Sequence, residues 1–136
     1  MRFPLLRARV ERRLTMAKAT NHSFKVGDIL ASSWGYEQTN VCLYQVVELN
    51  GATMVTVKPV HLPVNRIDAI SGMSEDISFR LPMPGTIVAS DTAKPIKRKV
   101  KNYYKDNRPE GDLIEIASYE NAYRYNGEKM YRSWYA

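Results

Sequence analysis

The chain has 136 residues, 44% of them apolar, and a formal net charge of +6. That suits a single domain with one modest core and excludes a fibrous or broadly disordered chain. A lone cysteine, Cys42, excludes an internal disulfide, and the apolar runs stop far short of the roughly 20 residues a membrane helix needs, so a cytoplasmic protein without membrane contact is expected.

Charge is segregated along the chain. Residues 1–20 carry +5, residues 94–105 carry +6, and the remainder sums to −5. Two basic segments on a mildly acidic body favour a polyanionic partner more than an even scatter does. Residues 1–20 read as a basic N-terminal arm, with Leu6, Val10 and Leu14 at helical spacing. Met16-Ala17-Lys18 offers a second start, which would make residues 1–15 a non-native extension.

A single all-β domain is expected over residues 21–136. Residues 24–30 read as a turn feeding a first strand. The loop at residues 34–40 then carries Trp34, Tyr36, Glu37, Gln38 and Asn40 into an apolar strand that ends at Asn50-Gly51, a hairpin signal. A two-residue turn there pairs Leu49 with Ala52, Val46 with Val55 and Tyr44 with Val57. One face then gathers Cys42, Tyr44, Val46, Val55 and Val57, the expected core face.

Residues 61–93 contain Pro63, Pro82 and Pro84, which restrict strands to short pieces. Residues 65–74 read as a loop or a single helical turn. Residues 77–81 read as a strand with Ile77, Phe79 and Leu81 inward, and residues 86–89 as another. Residues 96–103 alternate strictly, with Lys97, Lys99 and Lys101 on one face and Ile96, Arg98 and Val100 on the other. A lysine row of that kind suits either a polyanion or an edge strand guarded against aggregation. At the C-terminus Asn126-Gly127 predicts a second hairpin, with Tyr119, Tyr123, Tyr125, Met130 and Trp134 on one face, and Arg124 opposite Lys129 on the other. The expected fold is an all-β, SH3-like or related partly open barrel built on hairpins.

Catalytic motifs are absent: there is no Gly-rich phosphate loop, nucleophile elbow or HExxH. Cys42, His22, His61 and the carboxylates show no metal-ligand spacing, and no cofactor is implied. A Cys42–His61 dyad is conceivable, but a structural cysteine is the commoner use of that residue on a core face. A non-enzymatic protein is expected.

Binding features are stronger. In the first reading, Lys97, Arg98, Lys99 and Lys101 contact phosphates while Tyr36, Tyr103 and Tyr104 stack on bases of DNA or RNA. In the second, Trp34, Tyr36, Glu37, Gln38 and Asn40 form an interaction loop for a protein partner, and the lysines protect an edge. The block from Trp34 to Asn40, the following Tyr44-Gln45-Val46-Val47 and the tail Tyr119-Glu120-Asn121-Ala122-Tyr123-Arg124-Tyr125-Asn126-Gly127 resemble a family of small uncharacterised bacteriophage and mobile-element proteins. That resemblance implies no known activity. It makes DNA handling, or binding of a host factor or defence complex, reasonable expectations.

Overall fold

A computed structural model describes residues 21–35 and 38–134. The expected basic arm of residues 1–20 and the site residues Tyr36 and Glu37 lie outside the described residues. The described residues form nine strands: β1 (Ile29–Trp34), β2 (Asn40–Asn50), β3 (Met54–Pro59), β4 (Val64–Ser71), β5 (Ser74–Phe79), β6 (Ile96–Asn102), β7 (Asp112–Ala117), β8 (Glu120–Arg124) and β9 (Met130–Ser133). A single 3-10 turn, Pro109–Gly111, precedes β7. Among the described residues no helix is long and apolar enough to cross a membrane.

Strands β1-β2-β3-β6-β7-β8 close into an antiparallel barrel, and β4-β5-β9 form a separate three-stranded sheet. The all-β small barrel expected from the hairpins is therefore present, and pairing of β8 with β1 closes it completely. Its interior holds Phe24, Leu30, Tyr44, Val46, Val55, Val57, Ile114 and Ala122, with Cys42 half-buried against them. The expected core face of β2 and β3 is thus correct.

The pairing that builds this face differs from expectation. Gly51 takes φ +70°, but the connection is three residues long, so Asn50 pairs with Met54 and Leu49 with Val55. A bulge at Val47 then takes up one residue, and Val46 pairs with Val57 rather than Val55. The net slip at Val46 is two residues. Side chains alternate with period two, so the same residues still point inward.

A second core lies outside the barrel wall. Ile29, Ala31 and Leu43, on the outer side of β1 and β2, pack with Val60, Leu62 and Tyr125, and with the half-buried Phe79, Ala89 and Met130. Tyr125 ties the two units together: its hydroxyl donates to the Glu128 carbonyl at 2.7 Å and accepts from the Phe79 amide at 2.9 Å.

Four expectations for the remaining segments are corrected. Residues 65–74 are neither a loop nor a helical turn but most of β4 and the start of β5; the polar sequence reflects a strand with almost every residue exposed. Residues 86–89 form no strand. The Gln45 side chain, fully buried, holds them instead: Nε2 donates to the carbonyls of Thr86 (2.7 Å) and Gly27 (3.1 Å), and Oε1 accepts from the amides of Val88 (2.8 Å) and Ala89 (3.1 Å). Leu81, expected inward, is exposed and follows the end of β5. Finally, Asn126-Gly127 joins no hairpin, because β8 belongs to the barrel and β9 pairs with β5. The true C-terminal hairpin is β7–β8, turned at Ser118-Tyr119. Arg124 and Lys129 consequently separate, to Asp28 (3.5 Å) and Asp68 (2.9 Å) respectively.

Candidate nucleic-acid interface

Strand β6 lies between β3 and β7 in the barrel wall. Val100 pairs with Ile114 and Ile96 with Val57, which places these side chains toward the core. Alternation then projects Lys97, Lys99 and Lys101 outward in one line, about 6.6 Å from each to the next, and Tyr103 follows the end of the strand. All four are exposed, Tyr103 by 71%.

The cross-strand neighbours on β3 are uncharged, Thr56 beside Lys97 and Met54 beside Lys99. Among the described residues Lys97 and Lys99 form no ion pair. Lys101 contacts Glu115 at 2.9 Å, with both side chains about half exposed. An exposed pair of that kind is worth about 0–1 kcal/mol and yields readily to a stronger anion.

The barrel sets β6 between β3 and β7, but the ladder to β7 covers only Val100–Asn102, so Ile96–Lys99 are not strand-paired on that side. Lysines beside such a gap are also compatible with protection of an edge.

Arg98 behaves differently from its neighbours. The β6–β7 register covers Val100–Asn102 only, and beyond it the Arg98 guanidinium bridges the two strands. Nε donates to the Glu115 carbonyl (3.1 Å), Nη2 to that of Ile116 (3.2 Å) and Nη1 to that of Lys97 (2.8 Å). The planar fork satisfies carbonyls that the ladder leaves without partners. The guanidinium is thus engaged within the barrel wall, and Arg98 is not aligned with the lysine row.

The two tyrosines also divide. Tyr104 has one ring face against Gly111, where an added Cβ would approach within 2.5 Å, and the Arg108 guanidinium 4.8 Å over the ring centroid. Tyr103 and Tyr104 meet edge to face, 5.2 Å between centroids at 88°. Tyr103 is the more exposed ring, and Tyr104 packs into the turn beside it. Arg108, four residues after Tyr104, went unnoticed in the sequence, although that spacing beside an aromatic was the available signal.

The described side chains of the loop at residues 34–40 contact neighbours in the same chain. Trp34 packs on Tyr119 at 5.2 Å, and its indole N–H donates to Cys42 Sγ at 3.5 Å. Gln38 Nε2 donates to Asn40 Oδ1 at 3.3 Å. Gly35 sits at φ +134°, and a Cβ there would fall 1.8 Å from the Gln38 carbonyl oxygen, so only glycine closes this loop.

Cys42 and His61 line a common cavity of about 270 Å³ with Tyr44 and Arg132. His61 is exposed, Cys42 accepts from Trp34, and Arg132 binds Glu75. Inside the barrel the buried Glu120 carboxylate accepts from Ser32 Oγ (2.5 Å) and from the Tyr44 hydroxyl (2.6 Å). Burial, then the neighbouring Glu120, push the Tyr44 phenol well above its ordinary range. That network is neutral donors around one acceptor, a means of satisfying a buried carboxylate. Comparison with protein-family models, with curated proteins and with solved structures found no match.

Proposed function

We propose that this chain is a non-enzymatic nucleic-acid-binding accessory protein that contacts a phosphate backbone along the outer face of β6. Lys97, Lys99 and Lys101 supply the cations and Tyr103 stacks on a base. The observation that carries the reading is the row of three exposed lysines on the outer face of β6, with the exposed Tyr103 just beyond the end of the strand. Basic side chains beside an exposed aromatic ring are the combination that single-stranded nucleic acid requires. A phage or mobile-element setting, suggested by the resemblance of residues 34–40, 44–47 and 119–127, fits a protein of this kind. The alternative protein-binding loop is less favoured, since Trp34, Gln38 and Asn40 are engaged with neighbours in the same chain.

Fluorescence anisotropy with labelled single-stranded DNA, single-stranded RNA and duplex DNA, across about 50–200 mM salt, tests the proposal. Each phosphate contact contributes about −0.7 to the slope of log K against log salt on a single strand. Replacing Lys97, Lys99 and Lys101 by Ala is expected to lower that slope by about 2. Tyr103→Ala is expected to cost about 1–3 kcal/mol, mainly on single strands. Unchanged affinity and slope in the triple variant would falsify the assignment.

A further inference from the structure

The order β4-β5-β9 leaves β4 at one margin of the side sheet. The opposite margin is covered, since the Ser133 amide of β9 donates to the Thr39 carbonyl beside β2 at 3.1 Å. Among the described residues nothing pairs with the outer side of β4. An eight-residue strand exposing Val64 (45%), Ile67 (49%) and Ile70 (56%) is an incomplete sheet.

The sequence of this margin is complementary to itself. In antiparallel pairing with a two-fold axis through Ile67, Arg66 lies opposite Asp68 of a second copy, and Asp68 opposite its Arg66. Asn65 then meets Ala69, and Val64 meets Ile70. Arg66 and Asp68 share one face of β4, as their 3.0 Å contact within the strand shows. Across the axis each charge therefore meets its opposite on that face, while the two Ile67 side chains meet on the other. Other axes are penalised. An axis at Asp68 sets two carboxylates face to face, and an axis at Arg66 sets two guanidiniums face to face.

We infer that the β4 margin joins two copies of this chain into a symmetric dimer, with Ile67 on the axis and a continuous six-stranded sheet β9-β5-β4-β4-β5-β9. Register shifts at both ends of β4 confine regular pairing to the middle of the strand. The interface is small, and association falls in the range of roughly 10 μM to 1 mM. The dimer is an isologous contact, closed by its own symmetry, so it does not propagate into fibres.

Charge reversal isolates this register. In a homodimer of Arg66→Asp the introduced carboxylate faces the native Asp68, and in a homodimer of Asp68→Arg the introduced guanidinium faces the native Arg66. Mixing the two variants makes both cross-axis pairs attractive. Sedimentation velocity and native mass spectrometry of the full chain are expected to show concentration-dependent dimers for the wild type. Each single variant should associate at least about tenfold more weakly, and the equimolar mixture should form heterodimers. Lys129, which contacts Asp68 at 2.9 Å, stands on the same face, so circular dichroism must confirm that Asp68→Arg keeps its fold. A second variant avoids that risk. Ile67→Cys in a Cys42→Ser background puts two thiols across the axis, within the roughly 4.4–6.8 Å Cα separation of a disulfide, and mild oxidation should yield a crosslinked dimer. A wild type that stays monomeric to about 1 mM, a folded mixture that stays monomeric, or an Ile67→Cys chain that does not crosslink each overturns the inference.

Discussion

Gln45→Leu tests whether one side chain, rather than strand pairing, fixes residues 86–89. Leucine keeps the approximate volume but removes all four hydrogen bonds to Gly27, Thr86, Val88 and Ala89. Each contributes about 0.5–1.5 kcal/mol net. Thr86 and Val88 are exposed and can turn to water, whereas Gly27 is buried and its carbonyl is left without this donor. The expected loss is about 3 kcal/mol, which lowers the melting temperature by about 10 °C for a domain of this size. Urea unfolding followed by tryptophan fluorescence measures the loss, and hydrogen exchange reports the amides of Val88 and Ala89, which should become unprotected. A loss below about 1 kcal/mol, with both amides still slow, would show that the segment is held by something other than Gln45.

Two further outcomes follow from the barrel wall and interior. Arg98→Ala should cost about 1–2 kcal/mol in urea unfolding because three carbonyls lose their donor, and Arg98→Lys should not restore it, since an ammonium cannot reproduce the fork; Lys97→Ala should stay within about 0.5 kcal/mol. Tyr44 has a folded-state pKa above that of the unfolded chain, so its contribution is intact below about pH 10 and declines as pH rises beyond it. Tyr44→Phe should therefore flatten the alkaline loss of stability by up to about 1.4 kcal/mol per pH unit, read from urea midpoints between about pH 9 and 11.

Much of the barrel was legible because its signals are local. The alternation of Cys42, Tyr44 and Val46 against Val55 and Val57 identifies the inner face whatever the pairing partner, and the two-residue slip left that face unchanged. The lysine row on β6 was legible for the same reason. What the sequence did not reveal is non-local. Asn126-Gly127 marks a turn, but nothing near it tells whether β9 returns to β8 or crosses to β5. β4 has no buried side for alternation to report, so its polar residues resembled a loop. Ile87 and Val88 suggested a strand, yet both are exposed, and the partner that holds the backbone at Thr86, Val88 and Ala89 is a glutamine more than forty residues away. At the candidate interface, charge and spacing identified the lysines. The separate role of Arg98 required knowledge of where the β6–β7 ladder ends.

The side sheet also bears on the order in which the molecule assembles. β4 and β5 are joined by a tight connection and can meet as soon as both exist, but their third strand begins roughly fifty residues after β5 ends, beyond three strands of the barrel. Between β8 and β9 the chain passes from one sheet to the other through a turn in which the Glu128 carbonyl accepts from Tyr125 and its carboxylate accepts from the Asn126 amide. Long-range closure of this kind is slow, and stability varies from one part of a structure to another. Spontaneous fluctuations should thus part Met130 of β9 from Ile77 of β5 while the barrel remains shut, giving the molecule a rigid body with a separately breathing flank.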